Sequence, residues 1–72
     1  MVPDGVVIGT KLREAREAAG LSRIELGEAS GIKAMTIKAY ENGNRDINIA
    51  RVDNVKAIAR ALNKKIEDIL DY

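Results

Sequence analysis

The 72-residue sequence predicts a single all-α domain of five short helices. Three observations predict it. Apolar residues recur at spacings of three and four, glycine or asparagine closes most of these stretches, and the one proline stands ahead of them all at position 3. Hydrophobic residues make up 46% of the chain and charged residues 32%, a globular balance. Tyr40 and Tyr72 are the only aromatics, so the core must be built from Ile, Leu, Val and Ala.

Residues 1–5 read as a loose N-terminal arm. Ile8, Leu12, Ala15 and Ala19 then share one face of a first helix, and Gly20 supplies the left-handed residue that ends it. Ser22 opens the second helix as its N-cap. Glu25, three residues on, completes a capping box that satisfies two otherwise unpaired backbone donors. Leu26 and Ala29 are expected to point inward, and Gly31 closes this helix. At about eight residues it is too short to hold without a neighbour. Ile32 and Ile37 bracket the start of a third helix as a hydrophobic staple, with Lys33 in the cap position. Ile37 and Tyr40 face inward, and Asn42-Gly43-Asn44 stops the helix. Residues 45–51 read as a loop with room for one helical turn. Val52, Val55, Ile58, Ala59 and Leu62 mark a fourth amphipathic helix capped by left-handed Asn63, and Ile66, Ile69 and Leu70 mark a brief fifth.

The residue types exclude much chemistry. With no cysteine and no histidine, the chain lacks disulfides, a thiolate nucleophile, and the commonest metal ligand and general base. Glu14/Glu17, Glu25/Glu28 and Glu67/Asp68/Asp71 sit at helical surface spacing with no nucleophile or glycine-rich phosphate loop beside them, and read as solvated faces. No catalytic residue, metal, cofactor or small-molecule substrate is expected. No apolar run approaches the ~20 residues of a membrane span, so a soluble, cytoplasmic protein is expected. The net charge is only +1 but unevenly placed. Residues 1–30 carry −1 and residues 66–72 carry −3, whereas residues 31–65 hold eight basic side chains against three acidic ones, a net of +5. A basic central segment suits a phosphate-facing surface.

Residues 22–42 hold two short helices joined by a tight glycine-containing turn, which is the helix-turn-helix unit. The flanking segments extend the match: Ile8-Gly9-Thr10-Lys11-Leu12-Arg13-Glu14-Ala15-Arg16, Gly20-Leu21-Ser22, Glu25-Leu26, and Ser30-Gly31-Ile32. Thr36-Ile37, Tyr40-Glu41-Asn42-Gly43, Ala57-Ile58-Ala59-Arg60-Ala61-Leu62 and Glu67-Asp68-Ile69-Leu70 follow in order. With these pieces the sequence resembles the phage repressor/Cro-like (Xre-type) helix-turn-helix family from about Ile8 to Leu70. The resemblance implies a lambda-repressor-like DNA-binding domain spanning residues 1–72, sequence-specific binding of double-stranded DNA, and a transcriptional regulator, most simply a repressor. It also implies a homodimer that sets two recognition helices about 34–36 Å apart on a palindromic site.

Site residues follow from the same resemblance. Base reading falls on Lys33, Ala34, Met35, Lys38 and Ala39, and phosphate contact on Ser22, Arg23, Thr36, Asn42, Gly43, Asn44 and Arg45. Arg16 and Glu41 match a structural ion pair between the first and third helices. The chemistry suits those roles: lysine can donate to guanine O6/N7 or to phosphate, and Ala or Met can meet a thymine methyl. Plainer roles stand beside them, namely helix capping for Ser22, turn chemistry for Asn42 and Asn44, and helix propensity for Ala39. Arg23 stands where the family usually has glutamine. Gly27 stands where it has alanine, at an expected cost of about 0.5–1 kcal/mol in helix propensity. Ile66, Ile69, Leu70 and Tyr72 offer either a dimer surface or core closure, and Ile24, on a second-helix face that is usually polar in the family, a further contact. The same fold also admits a second reading, an antitoxin-like module that binds a toxin-like partner protein and represses its own promoter.

Overall fold

In the computed structural model, residues 9–70 are described; the arm at residues 1–5, Ile8, Asp71 and Tyr72 lie outside the described residues. Four α-helices follow in order: α1 (Thr10–Ala18), α2 (Arg23–Ser30), α3 (Ala34–Glu41) and α4 (Val52–Ala61). Two 3₁₀ turns, Ile47–Ile49 and Ile66–Asp68, complete the described chain, so the expected fifth helix is a single tight turn. It is held by Asp68, whose carboxylate accepts the Lys65 N–H at 3.0 Å.

Local chemistry sets these boundaries. Ser22 Oγ accepts the Glu25 N–H at 3.0 Å while Glu25 Oε1 accepts the Ser22 N–H at 2.9 Å, closing the capping box at the start of α2. Gly20, Gly31 and Gly43 take the left-handed positions after α1, α2 and α3, and Asn63 does so after α4. Lys33 caps α3 without a side-chain hydrogen bond.

Leu12, Leu26, Ile37, Ile47, Ile58 and Ile69 are fully buried, so each helix, the first 3₁₀ turn and the residue just after the second deliver one aliphatic side chain each to a common centre. Each such side chain contributes roughly 1.5–3 kcal/mol of hydrophobic burial. Tyr40, Val55, Ala59 and Leu62 fill in around them. Ile69 is buried in this core, and Ile66 and Leu70 are half-buried against it.

Three residues expected to face inward do not. Ala19 and Ala29 are exposed, and Val52 is 58% exposed. α1 ends at Ala18, so its apolar periodicity stops one residue short of Ala19. In α2 the covered stripe runs through Arg23, Leu26, Gly27 and Ser30, with Ala29 roughly a third of a turn off it. Val52 shares the angular face of Val55, Ile58 and Ala59 but is the first residue of α4, one turn ahead of the part of that face that the core covers.

Gly27 also departs from the expectation that glycine there is merely a propensity cost. A Cβ at this position would lie 2.8 Å from the Ile32 carbonyl oxygen and 3.3 Å from the Ala34 nitrogen. The α2–α3 turn passes too close for any side chain, which sets how tightly the two helices join.

Candidate nucleic-acid interface

α3 has two unlike sides. Ile37, Tyr40 and Glu41 are buried, whereas Met35 is 81% exposed and Lys38 lies exposed beside it. Ala34, Thr36 and Ala39 are half-buried, and Lys33 is exposed at the helix start. The helix therefore presents two amines, a thioether and small side chains outward while its inner face is fixed in the core. Ser22, Asn42, Gly43, Asn44 and Arg45 are exposed, with Asn42–Arg45 following directly on the end of α3, and Arg23 is half-buried.

The end of α3 is held by charge. Glu41, the last residue of α3, has a side chain with no solvent exposure, and two arginines meet it. Arg16 of α1 donates from Nε to Oε2 at 2.6 Å and from Nη2 to Oε1 at 3.2 Å, and its Nη1 donates to the Leu21 carbonyl at 2.8 Å. Arg23 of α2 donates from Nε to the same Oε1 at 3.0 Å. The hydrogen bonds that Arg16 donates to Glu41 raise the Arg16 pKa above its already high ordinary value, outweighing the opposing effect of burial, so the guanidinium stays charged. Three helices thus converge on one carboxylate.

The Arg23 contact is the part of this site that sequence reasoning missed. A glutamine-to-arginine departure signals added charge, but only the fold shows that the start of α2 lies within reach of the end of α3.

Beyond α3, a cleft of about 420 Å³ is lined by Tyr40, Asn44, Arg45, Asp46, Ile49, Ala50, Arg51 and Asn54. Arg51 lies 4.0 Å from Asp53 with both side chains at least 80% exposed, a pairing that contributes little. Ile49 projects at 83% exposure from the edge of this cleft. Among the described residues no group of acidic side chains could hold a metal ion. Glu14, Glu17, Glu25, Glu28, Glu67 and Asp68 are all exposed.

The Helix-turn-helix family profile matches residues 12–69. The chain belongs to the Xre/Cro-like helix-turn-helix family. Its curated relatives include uncharacterized HTH-type transcriptional regulators of Sinorhizobium medicae and Rhizobium meliloti, each 32% identical over 56 residues. Those matches take in 78% of this chain but 40% of each relative, so this helix-turn-helix chain spans well under half the length of the proteins it matches. Among solved structures, the restriction-modification controller protein C.AhdI from Aeromonas hydrophila is similar at 31% identity and a TM-score of 0.77. That similarity covers 86% of this chain and 89% of C.AhdI. The clp gene regulator ClgR from C. glutamicum shares the fold at a TM-score of 0.72 and 24% identity, over 85% of this chain and 75% of that one. No helix among the described residues is long and apolar enough to cross a membrane.

Proposed function

We propose that this chain is a sequence-specific double-stranded DNA-binding regulator, acting as a repressor through α3 in the major groove and working as a homodimer. One observation carries the reading: α3 exposes Lys33, Met35 and Lys38 while Ile37, Tyr40 and Glu41 lock its inner face into the domain. In this reading Lys33, Ala34, Met35, Lys38 and Ala39 meet base edges. Ser22, Arg23, Thr36, Asn42, Gly43, Asn44 and Arg45 meet phosphates. Support comes from the geometry of a duplex. With its side chains an α-helix is about 10–12 Å across, close to the roughly 12 Å width of the major groove, so α3 can enter the groove with its exposed edge toward the base pairs. The polar residues that flank the helix, Ser22 and Arg23 at the start of α2 and Asn42–Arg45 after α3, are then the groups available to the phosphates beside the groove.

Selection from a random duplex pool, with binding then measured at two salt concentrations, tests this. A recovered consensus bound far more tightly than mixed-sequence duplex, with affinity falling as salt rises, is expected. Failure to enrich any duplex removes the reading.

The antitoxin-like alternative is favoured by the exposed apolar side chains Ile24 (68%), Ile49 (83%) and Val52 (58%). A tight protein partner captured through these residues, with DNA binding altered when it is added, would select that alternative.

A further inference from the structure

We infer that Glu41 pins Arg23 as a pre-set phosphate clamp, which makes Glu41 a positioning residue for DNA binding as well as a structural anchor. This rests on the DNA-binding reading above and deepens it.

The starting point is a charge imbalance. One carboxylate faces two guanidiniums, so the cluster holds an excess of one positive charge. The two arginines are used differently. Arg16 engages through Nε, Nη1 and Nη2, and its side chain is only 11% exposed. Arg23 engages Glu41 through Nε alone, and among the described residues its two Nη groups have no partner. Its side chain is 36% exposed. A guanidinium has five N–H donors in a rigid plane, so fixing Nε fixes the direction of the other four. The excess charge therefore sits on a fork whose orientation is set before any ligand arrives.

Position then decides what the fork can meet. Arg23 reaches the last residue of α3, which runs directly into exposed Asn42-Gly43-Asn44-Arg45. That is where the backbone of a duplex passes when α3 fills the groove. Arginine binds phosphate with two parallel N–H···O bonds, whereas lysine offers only a point charge. An unpinned arginine would have to give up rotamer freedom on binding. Here Glu41 has already restricted it.

The experiment compares wild type, Arg23→Lys and Arg23→Ala on a 20-base-pair duplex by fluorescence anisotropy at several salt concentrations, with Arg13→Ala as control. Arg13 is exposed on α1. Arg23→Lys should bind about tenfold more weakly, the loss of one charge-assisted hydrogen bond, at an unchanged salt slope. Arg23→Ala should lose at least as much and flatten the slope by about 1. In ¹⁵N spectra of the free protein, the Arg23 Nε–Hε signal should be sharp and protected from exchange, as that of Arg16 is, and unlike that of Arg13. A purely structural Arg23 would shift unfolding and leave the salt slope untouched. The clamp is overturned if Arg23→Lys binds as wild type does, or if the Arg23 Nε–Hε signal exchanges as freely as that of Arg13. A wild type that binds no duplex at all instead removes the DNA-binding reading itself.

Discussion

Gly27→Ala sets two known effects against each other. In the middle of a helix alanine is favoured over glycine by about 0.8–1 kcal/mol, so propensity alone predicts a more stable protein. The new Cβ, however, would stand 2.8 Å from the Ile32 oxygen, 3.3 Å from the Ala34 nitrogen and 3.7 Å from the Ala34 Cα. All three are backbone atoms, so no side chain can swing aside. Ile32 is half-buried against the core and Ala34 is the first residue of α3, so relief requires α2 and α3 to separate by about half an ångström. Overpacking of this kind costs about 1–3 kcal/mol. The difference is a net loss of about 1 kcal/mol, or a fall of about 4–8 °C in Tm for a domain of this size. Thermal unfolding followed by far-UV circular dichroism measures it, and anisotropy on a selected duplex reports whether the shift also carries Lys33 and Ala34 away from the groove. A Gly27→Ala protein more stable than wild type by the full propensity difference would refute the close approach.

Other outcomes follow from the same geometry. Gly9→Ala should prevent normal folding, because Gly9 sits at φ 97° and a Cβ would overlap the Tyr40 carbonyl oxygen; a cooperative unfolding transition near the wild-type temperature would contradict this. Arg16→Ala should destabilise by about 3 kcal/mol, the lower end for breaking a buried pair, since Arg23 remains on Glu41; urea unfolding measures it. Stability should decline in acid through the α2 cap. The Ser22 backbone N–H, then its hydroxyl, lower the Glu25 pKa from its ordinary 4.5, so this contribution is present above that value and lost as pH falls through the lower folded one. Glu25→Gln should flatten that limb of the stability–pH profile. Lys38→Ala should change preference at one base pair by roughly 1–3 kcal/mol if Lys38 reads a base, which competition among single-substituted duplexes would show.

What could be seen in the sequence was what depends on near neighbours. The Ser22/Glu25 box, the glycines that end α1, α2 and α3, and the inward pair Ile37 and Tyr40 all rest on residues a few positions apart. What escaped depends on long-range approach. Ile47 lies in a stretch with no periodicity, yet a 3₁₀ turn, started by Asp46 accepting the Asn48 N–H, turns it fully into the core. Gly27 reads as a weak spot until Ile32 is seen beside it. Arg23 reads as a surface charge until α3 is folded back against α2, 18 residues along the chain.

The way α3 is secured has a consequence for variation. At its far end Glu41 is tied to two other helices, and at its near end the chain threads past Gly27. The outward side chains Met35, Lys38 and Ala39 carry almost none of that fastening. Their identities can therefore drift without disturbing the scaffold; under the proposed DNA-binding function, proteins sharing this frame would address different duplex sequences by exchanging a handful of residues along one edge.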